Sequence, residues 1–305
     1  VLSDRRYQTV TFQRASSNRA QTGRTISCAV ATLATLLVLS ALPALAQAAT
    51  PYVSLGDSYV SGPAILPPAL GAPLDCLQSA RNYPHLAAAA LGLSLHDVSC
   101  SGAATGDFTT AQYADQPPQF NALSSSTGVV TVGIGGNDNN LFVGTLATCG
   151  TEDLIFPFGT PCKATYGNKL AEEIAADGPV IGAALHQVHV LSPSAKVLVV
   201  GYPDILPQSG NCWPTVPLTT GDTAYLNNVE QELNAMLAKE AALNGAVYVD
   251  TYTPGIGHDA CKSISTRWVE PVLPESDAFS VHPNERGMAA EAGLLESAMK
   301  ADGIS

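Results

Sequence analysis

Five short apolar runs, at 52–55, 95–100, 129–134, 195–200 and 246–249, most tightly constrain how this chain folds. The middle run, Val129-Val130-Thr131-Val132-Gly133-Ile134, is nearly continuous instead of alternating, the pattern of a strand buried on both faces. Helix-patterned segments lie between the runs. An Ala-rich stretch at 82–91 stops at Gly92, and 168–190 reads as a helix that Gly178-Pro179 is expected to bend or break. The segment 219–243 repeats Leu226, Val229, Leu233, Met236 and Leu237 on one face, and Pro283-Asn284 lead into a last helix at 285–300. Strand–helix alternation of this kind predicts an α/β domain, a three-layer α/β/α sandwich around an open parallel sheet of about five strands. Such sheets bind ligands beyond the carboxyl ends of their strands, which singles out 56–59, 100–104, 134–138 and 201–204. The Gly- and Pro-rich stretches 62–76, 141–162, 201–218 and 251–281 read as long loops, with 141–162 tied by a disulfide.

The chain has 305 residues, 46% of them hydrophobic and 13% charged, enough apolar matter for one sizeable core. Residues 1–24 carry five arginines against Asp4, followed by an almost uncharged run centred on Leu33, Leu36, Leu37, Val38 and Leu39. Ala44, Ala46, Ala48 and Ala49 follow. This is the plan of a secretory signal peptide, with cleavage expected near Ala46 or Ala48. The expected organisation is a leader over 1–49 and a single domain over 50–305. Without the leader, 9 basic and 25 acidic side chains remain of the 14 and 26 in the whole chain, a formal charge of −16. That balance argues against nucleic acid and against anionic headgroups, so any contact with lipid must be apolar and local. Integral membrane contact after processing is not expected, and the domain is read as a monomer. Cys28 lies in the leader. Cys76, Cys100, Cys149, Cys162, Cys212 and Cys261 form an even set, as exported domains use for disulfides, and no CxxC pair suggests zinc. Six cysteines allow fifteen pairings. Nearest-neighbour pairing would join Cys76–Cys100, Cys149–Cys162 and Cys212–Cys261.

Four places could carry chemistry. In Gly56-Asp57-Ser58-Tyr59, Ser58 follows a strand and can project into a crevice, although Asp57-Ser58 also reads as a helix cap. In Ser101-Gly102-Ala103, Gly102 can leave a backbone N–H open to an oxyanion. Gly135-Gly136-Asn137-Asp138 turns closely after a buried strand and offers the Asn137 amide. His282, held extended by Pro283, is the histidine best placed to act as a general base. His186 and His189 share a helix face but lack a third ligand. Dinucleotide, P-loop and GxSxG patterns are absent.

In their order these blocks resemble the SGNH (GDSL-type) hydrolases, in particular the secreted actinobacterial lipase and esterase branch, over about residues 51–299. The resemblance implies the SGNH hydrolase fold and a serine esterase or lipase acting on carboxylic acyl esters without metal or organic cofactor. It makes Ser58 the nucleophile and His282 the base. It assigns the oxyanion hole to the backbone of Ser58, to Gly102 and to Asn137. The six cysteines and their nearest-neighbour pairing are also similar to this branch. One position departs from the pattern. Where the family often carries Asp three residues before the histidine, this chain has Phe279. The orienting group is then a backbone carbonyl of Phe279 or Ser280, as in members described as Ser–His dyads, or the side chain of Asp277. Deacetylation of carbohydrate, phospholipid hydrolysis and a non-catalytic binding role are the alternatives.

Overall fold

Every strand of the sheet runs in the same direction, and the period-two alternation within strands sends successive side chains to two different cores. The computed structural model describes residues 48–304, so the leader expected before them lies outside the described residues. Among the described residues the strands are β1 (Pro51–Gly56), β2 (Ser94–Asp97), β3 (Val129–Gly133), β4 (Lys196–Val200) and β5 (Val247–Val249), in the order β2-β1-β3-β4-β5. The helices are α1 (Ser58–Ser61), α2 (Tyr83–Leu91), α3 (Val143–Ile155), α4 (Pro161–Tyr166), α5 (Lys169–Leu191), α6 (Thr220–Leu243), α7 (Tyr252–Gly255) and α8 (Glu285–Ala301).

Val53, Leu55, Val130, Val132, Val197 and Val199 point to one face, where Ile181 and Leu185 of α5 and Leu233 and Leu237 of α6 bury them. Tyr52, Val129, Leu198, Val200 and Val249 point to the other, against Tyr83 and Ala87 of α2 and Met288, Ala292 and Leu295 of α8. This is the expected three-layer α/β/α fold, with apolar burial on both faces of a parallel sheet.

Two local expectations are corrected. Residues 141–162 are not a loop: α3 and the start of α4 occupy most of them. Gly144 and Gly150 cost helix stability in isolation, by about 1 kcal/mol each relative to Ala. Burial of Thr145, Cys149, Gly150 and Asp153 outweighs that preference, and Pro161 occupies the first turn of α4, where a missing N–H is harmless. Gly178-Pro179 likewise does not break α5, which continues to Leu191. Pro179 faces solvent, so water can satisfy the carbonyl it leaves free, and Gly178 is buried where α6 brings Met236 and Glu240 close.

The order of strands reverses direction between β1 and β3, which makes their carboxyl ends the switch point at which such sheets open a crevice. The paired ends are Gly56 and Gly133. Gly56 has no room for a side chain: a Cβ would lie 2.6 Å from the Gly133 carbonyl oxygen and closer still to Val60. The Gln119 side chain clasps this residue from both sides, accepting from the Gly56 N–H at 2.8 Å and donating to its carbonyl at 2.9 Å.

Candidate active site

Immediately beyond Gly56 the chain turns into α1. Asp57 caps that helix, its Oδ1 accepting from the Tyr59 N–H at 2.8 Å, and Ser58 takes the first helical position. Capping and presentation of the serine are therefore one arrangement. His282 arrives from the loop before α8, and its Nε2 lies 2.7 Å from Ser58 Oγ. Its Nδ1 lies 2.8 Å from the carbonyl oxygen of Ser280. That contact makes Nδ1 the protonated nitrogen and leaves Nε2 free to accept. The carbonyl of Phe279 instead accepts from the His282 backbone N–H, and Asp277 is exposed. Among the described residues no carboxylate hydrogen-bonds the His282 ring. Val281 has φ +60°, a left-handed conformation that is costly for a β-branched residue, and this turn directs the carbonyl of Ser280 back to the ring two residues on. Burial lowers the pKa of His282 below its ordinary 6.5, opposed by the bond to Ser280, so the imidazole is neutral at neutral pH.

The other two blocks converge on the same crevice. Gly102 adopts φ +81°, open to glycine, and among the described residues its N–H and that of Ser58 have no acceptor. Asn137 donates one amide hydrogen to the Ala103 carbonyl at 3.0 Å, keeping the second for another acceptor. Asp138 fixes the second block relative to the third by accepting from the backbone N–H of Thr105 at 2.8 Å and from its hydroxyl. The structure thus lines one crevice with Ser58, Asn137 and His282, ties the Gly102 turn to it through the Asn137–Ala103 bond, and leaves Asp277 outside it. His186 and His189 remain on α5, and among the described residues no cluster of three metal-ligating side chains forms. Disulfides join Cys76 to Cys100, Cys149 to Cys162 and Cys212 to Cys261.

Several residues that shape the site were not singled out by sequence reasoning. The Tyr59 ring lies 4.8 Å from that of His282, and its hydroxyl donates to the Val281 carbonyl at 2.6 Å, linking the serine turn directly to the histidine loop. Tyr202 donates to Asp57 Oδ2 at 2.6 Å and accepts from the Gly136 N–H at 2.7 Å, linking the first block to the third. It follows β4, inside the 201–204 stretch that the strand-end rule had marked. Burial pushes Asp57 up to about 7, against the bonds from Tyr202 and the Tyr59 N–H that favour its charge. The histidine loop is held from behind by buried Glu270. That carboxylate accepts from Arg267 (3.1 and 2.7 Å), Asn284 (2.8 Å), the Glu275 N–H (2.9 Å) and Ser276. The Glu270 N–H donates to the His282 carbonyl at 2.9 Å. No pattern in the sequence marked Arg267 or Glu270.

From Ser58 and His282 a groove of about 470 Å³ extends between α3 and α6, walled by Leu141, Phe142, Leu146, Leu206, Leu226 and Val229. It lies over part of the segment that the sequence presented as a loop.

Residues 54–290 match the GDSL-like Lipase/Acylhydrolase family. The chain belongs to that family. It is a carboxylic ester hydrolase of the lipase and esterase type. Lipase 2 of Streptomyces coelicolor is 42% identical over 251 residues, covering 81% of this chain and 85% of that protein. Phospholipase A1 of Streptomyces albidoflavus superposes with a TM-score of 0.69 at 31% identity, over 82% of this chain and all of that one. The extracellular lipase of Streptomyces rimosus gives 0.67 at 31% identity, over 82% of this chain and all of its own.

Proposed function

We propose that this GDSL-type hydrolase cleaves esters of medium- and long-chain acids by a Ser58–His282 dyad through an acyl-enzyme. His282 Nε2 takes the proton from Ser58 Oγ as the oxygen attacks the ester carbonyl. The developing oxyanion is received by the N–H groups of Ser58 and Gly102 and by the free amide hydrogen of Asn137, donors fixed before the charge appears. His282 then protonates the leaving alcohol, activates water and regenerates Ser58 as the acid departs. The Ser280 carbonyl keeps the tautomer correct but, being neutral, stabilises the imidazolium less than a buried carboxylate does. The observation that carries this reading is the 2.7 Å approach of a neutral, backbone-oriented imidazole to a serine hydroxyl at the sheet's switch point.

The apolar groove that begins at Ser58 supports acyl chains well beyond acetate, and so a lipase-like preference over deacetylation of carbohydrate. Three disulfides, the leader expected over 1–49 and the extracellular relative from Streptomyces rimosus support export. The test is kcat/KM for p-nitrophenyl esters from acetate to palmitate, with Ser58→Ala beside the wild type. A rate that peaks at medium or long chains and falls by more than about a thousandfold without Ser58 is expected. A serine-dependent peak at acetate would move the assignment to deacetylation, and no serine-dependent rate at any length would overturn the dyad.

A further inference from the structure

The hairpin formed by α3 and α4 presents an apolar tip that the folded core does not use. Leu154, Ile155, Phe156 and Phe158 are exposed over 59, 64, 65 and 86% of their surface, and residues 154–162 carry no charge. Trp213, 42% exposed, borders a shallow depression together with Pro157 and Phe158. Large apolar side chains exposed side by side are unusual on a soluble surface and mark a contact.

The tip is held firmly from behind. Cys149–Cys162 closes the hairpin near its end. The start of α6 grips it at three points. Asp222 accepts from the N–H groups of Cys162 and Lys163, each at 2.9 Å. Asp153 accepts from the Thr219 N–H at 2.7 Å, and the Thr219 hydroxyl donates to the Gly159 carbonyl at 2.9 Å. The ordering entropy of the tip is therefore already spent in the fold. The tip is also continuous with the groove, because Gly150, Thr151 and Leu154 of α3 line the path to Ser58 on one side while Leu154 is open to solvent.

We propose that the tip, with Trp213 beside it, is a docking surface for an assembled lipid interface with neutral or zwitterionic headgroups, which sets the groove against the surface from which acyl chains are drawn. The charge distribution selects this occupant. A domain with a formal charge of −16 over 50–305 is repelled by an anionic surface, whereas the uncharged tip gains from burial in any apolar one. An indole at the polar–apolar boundary suits a membrane interface, with its apolar body buried and its N–H wet. Among the described residues no helix is long and apolar enough to cross a membrane, so the contact is peripheral.

Binding is independent of acyl transfer, so the test uses the exported domain, residues 50–305, carrying Ser58→Ala, which separates failure of docking from failure of the dyad and from binding by the basic, apolar leader. Sedimentation with phosphatidylcholine vesicles should carry this protein down and shift tryptophan emission to the blue. Adding Phe156→Ser and Phe158→Ser should weaken binding at least tenfold and abolish most of the shift. In the Ser58-intact background the same two substitutions should leave turnover of soluble p-nitrophenyl butyrate within twofold and lower turnover of vesicle-borne ester. Equal vesicle binding with and without the two substitutions would overturn the proposal. So would tighter binding to phosphatidylglycerol than to phosphatidylcholine, or a dimer in velocity sedimentation that the two substitutions dissolve while no vesicle binding is found.

Discussion

The turn that carries Ser58 and the loop that carries His282 are each held by a buried carboxyl group, yet the two groups are displaced in opposite directions. Asp57, in the turn, is pushed up to about 7 because burial outweighs the bonds from Tyr202 and the Tyr59 N–H. Glu270, behind the loop, also suffers from burial. The bonds from Arg267, then those from Ser276, Asn284 and the Glu275 N–H, outweigh it and hold the group at about 2. The turn lies between β1 and α1, where the sheet ladder, the Gln119 clasp and the helix cap already fix the backbone. Its carboxyl needs only to accept hydrogen bonds. The loop from 256 to 284 has no regular element of its own, so a charged cluster replaces the missing ladder. Regular structure can tolerate a carboxyl that prefers to be neutral, whereas an irregular segment with a catalytic residue depends on one that stays ionised.

The largest effect is expected from breaking the loop's cluster. Glu270→Gln leaves buried Arg267 with only the half-exposed Glu275 as counter-charge, and denaturant unfolding at pH 7 should show a loss of up to roughly 3–5 kcal/mol. Because Glu270 is held below its ordinary 4.5, its stabilisation is fully present above that pH and fades as pH falls through about 2. The deficit of the variant should narrow in acid, and a deficit independent of pH would argue that packing, not charge, holds the loop.

Tyr59→Phe cuts the contact between the two regions, leaving the buried Val281 carbonyl unpaired. A loss of roughly 1–3 kcal/mol is expected, with a lower kcat and a largely unchanged KM, since the tyrosine hydroxyl positions His282 but bonds to no substrate. An unchanged kcat would show that the loop finds its place without the turn.

Asp57→Asn should have an effect of opposite pH dependence. The folded pKa of Asp57 is raised from 3.8 to about 7, so the wild type loses stability from this group as pH rises between those values. The stability of the variant relative to the wild type should therefore rise from pH 4 to 7. A difference that stays flat over that interval and changes only below pH 4 would mean that Asp57 is held as an anion, like Glu270.

How far the sequence revealed this arrangement depended on the range of the interactions involved. The central apolar runs prescribed the sheet, because β1, β3 and β4 are buried on both faces and leave little choice of residue, whereas the edge strands β2 and β5 are partly exposed. Gly56, Gly102, Asn137 and His282 stood at strand ends or before a helix, where local signals are readable. The glycines and prolines of 141–162 spoke for a loop, but the preference of each residue was overruled by burial against α6 and the core, which no local pattern encodes. Arg267 and Glu270 are three apart and twelve or more residues from His282. Only the folded loop, in which Val269 bridges to Pro283, brings them beneath it.

The smallest expected effect tests the central claim, that the carbonyl of Ser280 and not a carboxylate orients His282. The measurement is kcat/KM against pH for wild type and Asp277→Asn with a medium-chain p-nitrophenyl ester. Coincident profiles are expected, each with an acid limb below pH 6.5, as a histidine with its pKa depressed by burial requires. A fall in kcat of about a thousandfold in Asp277→Asn, with the fold intact, would contradict the dyad and establish a conventional triad.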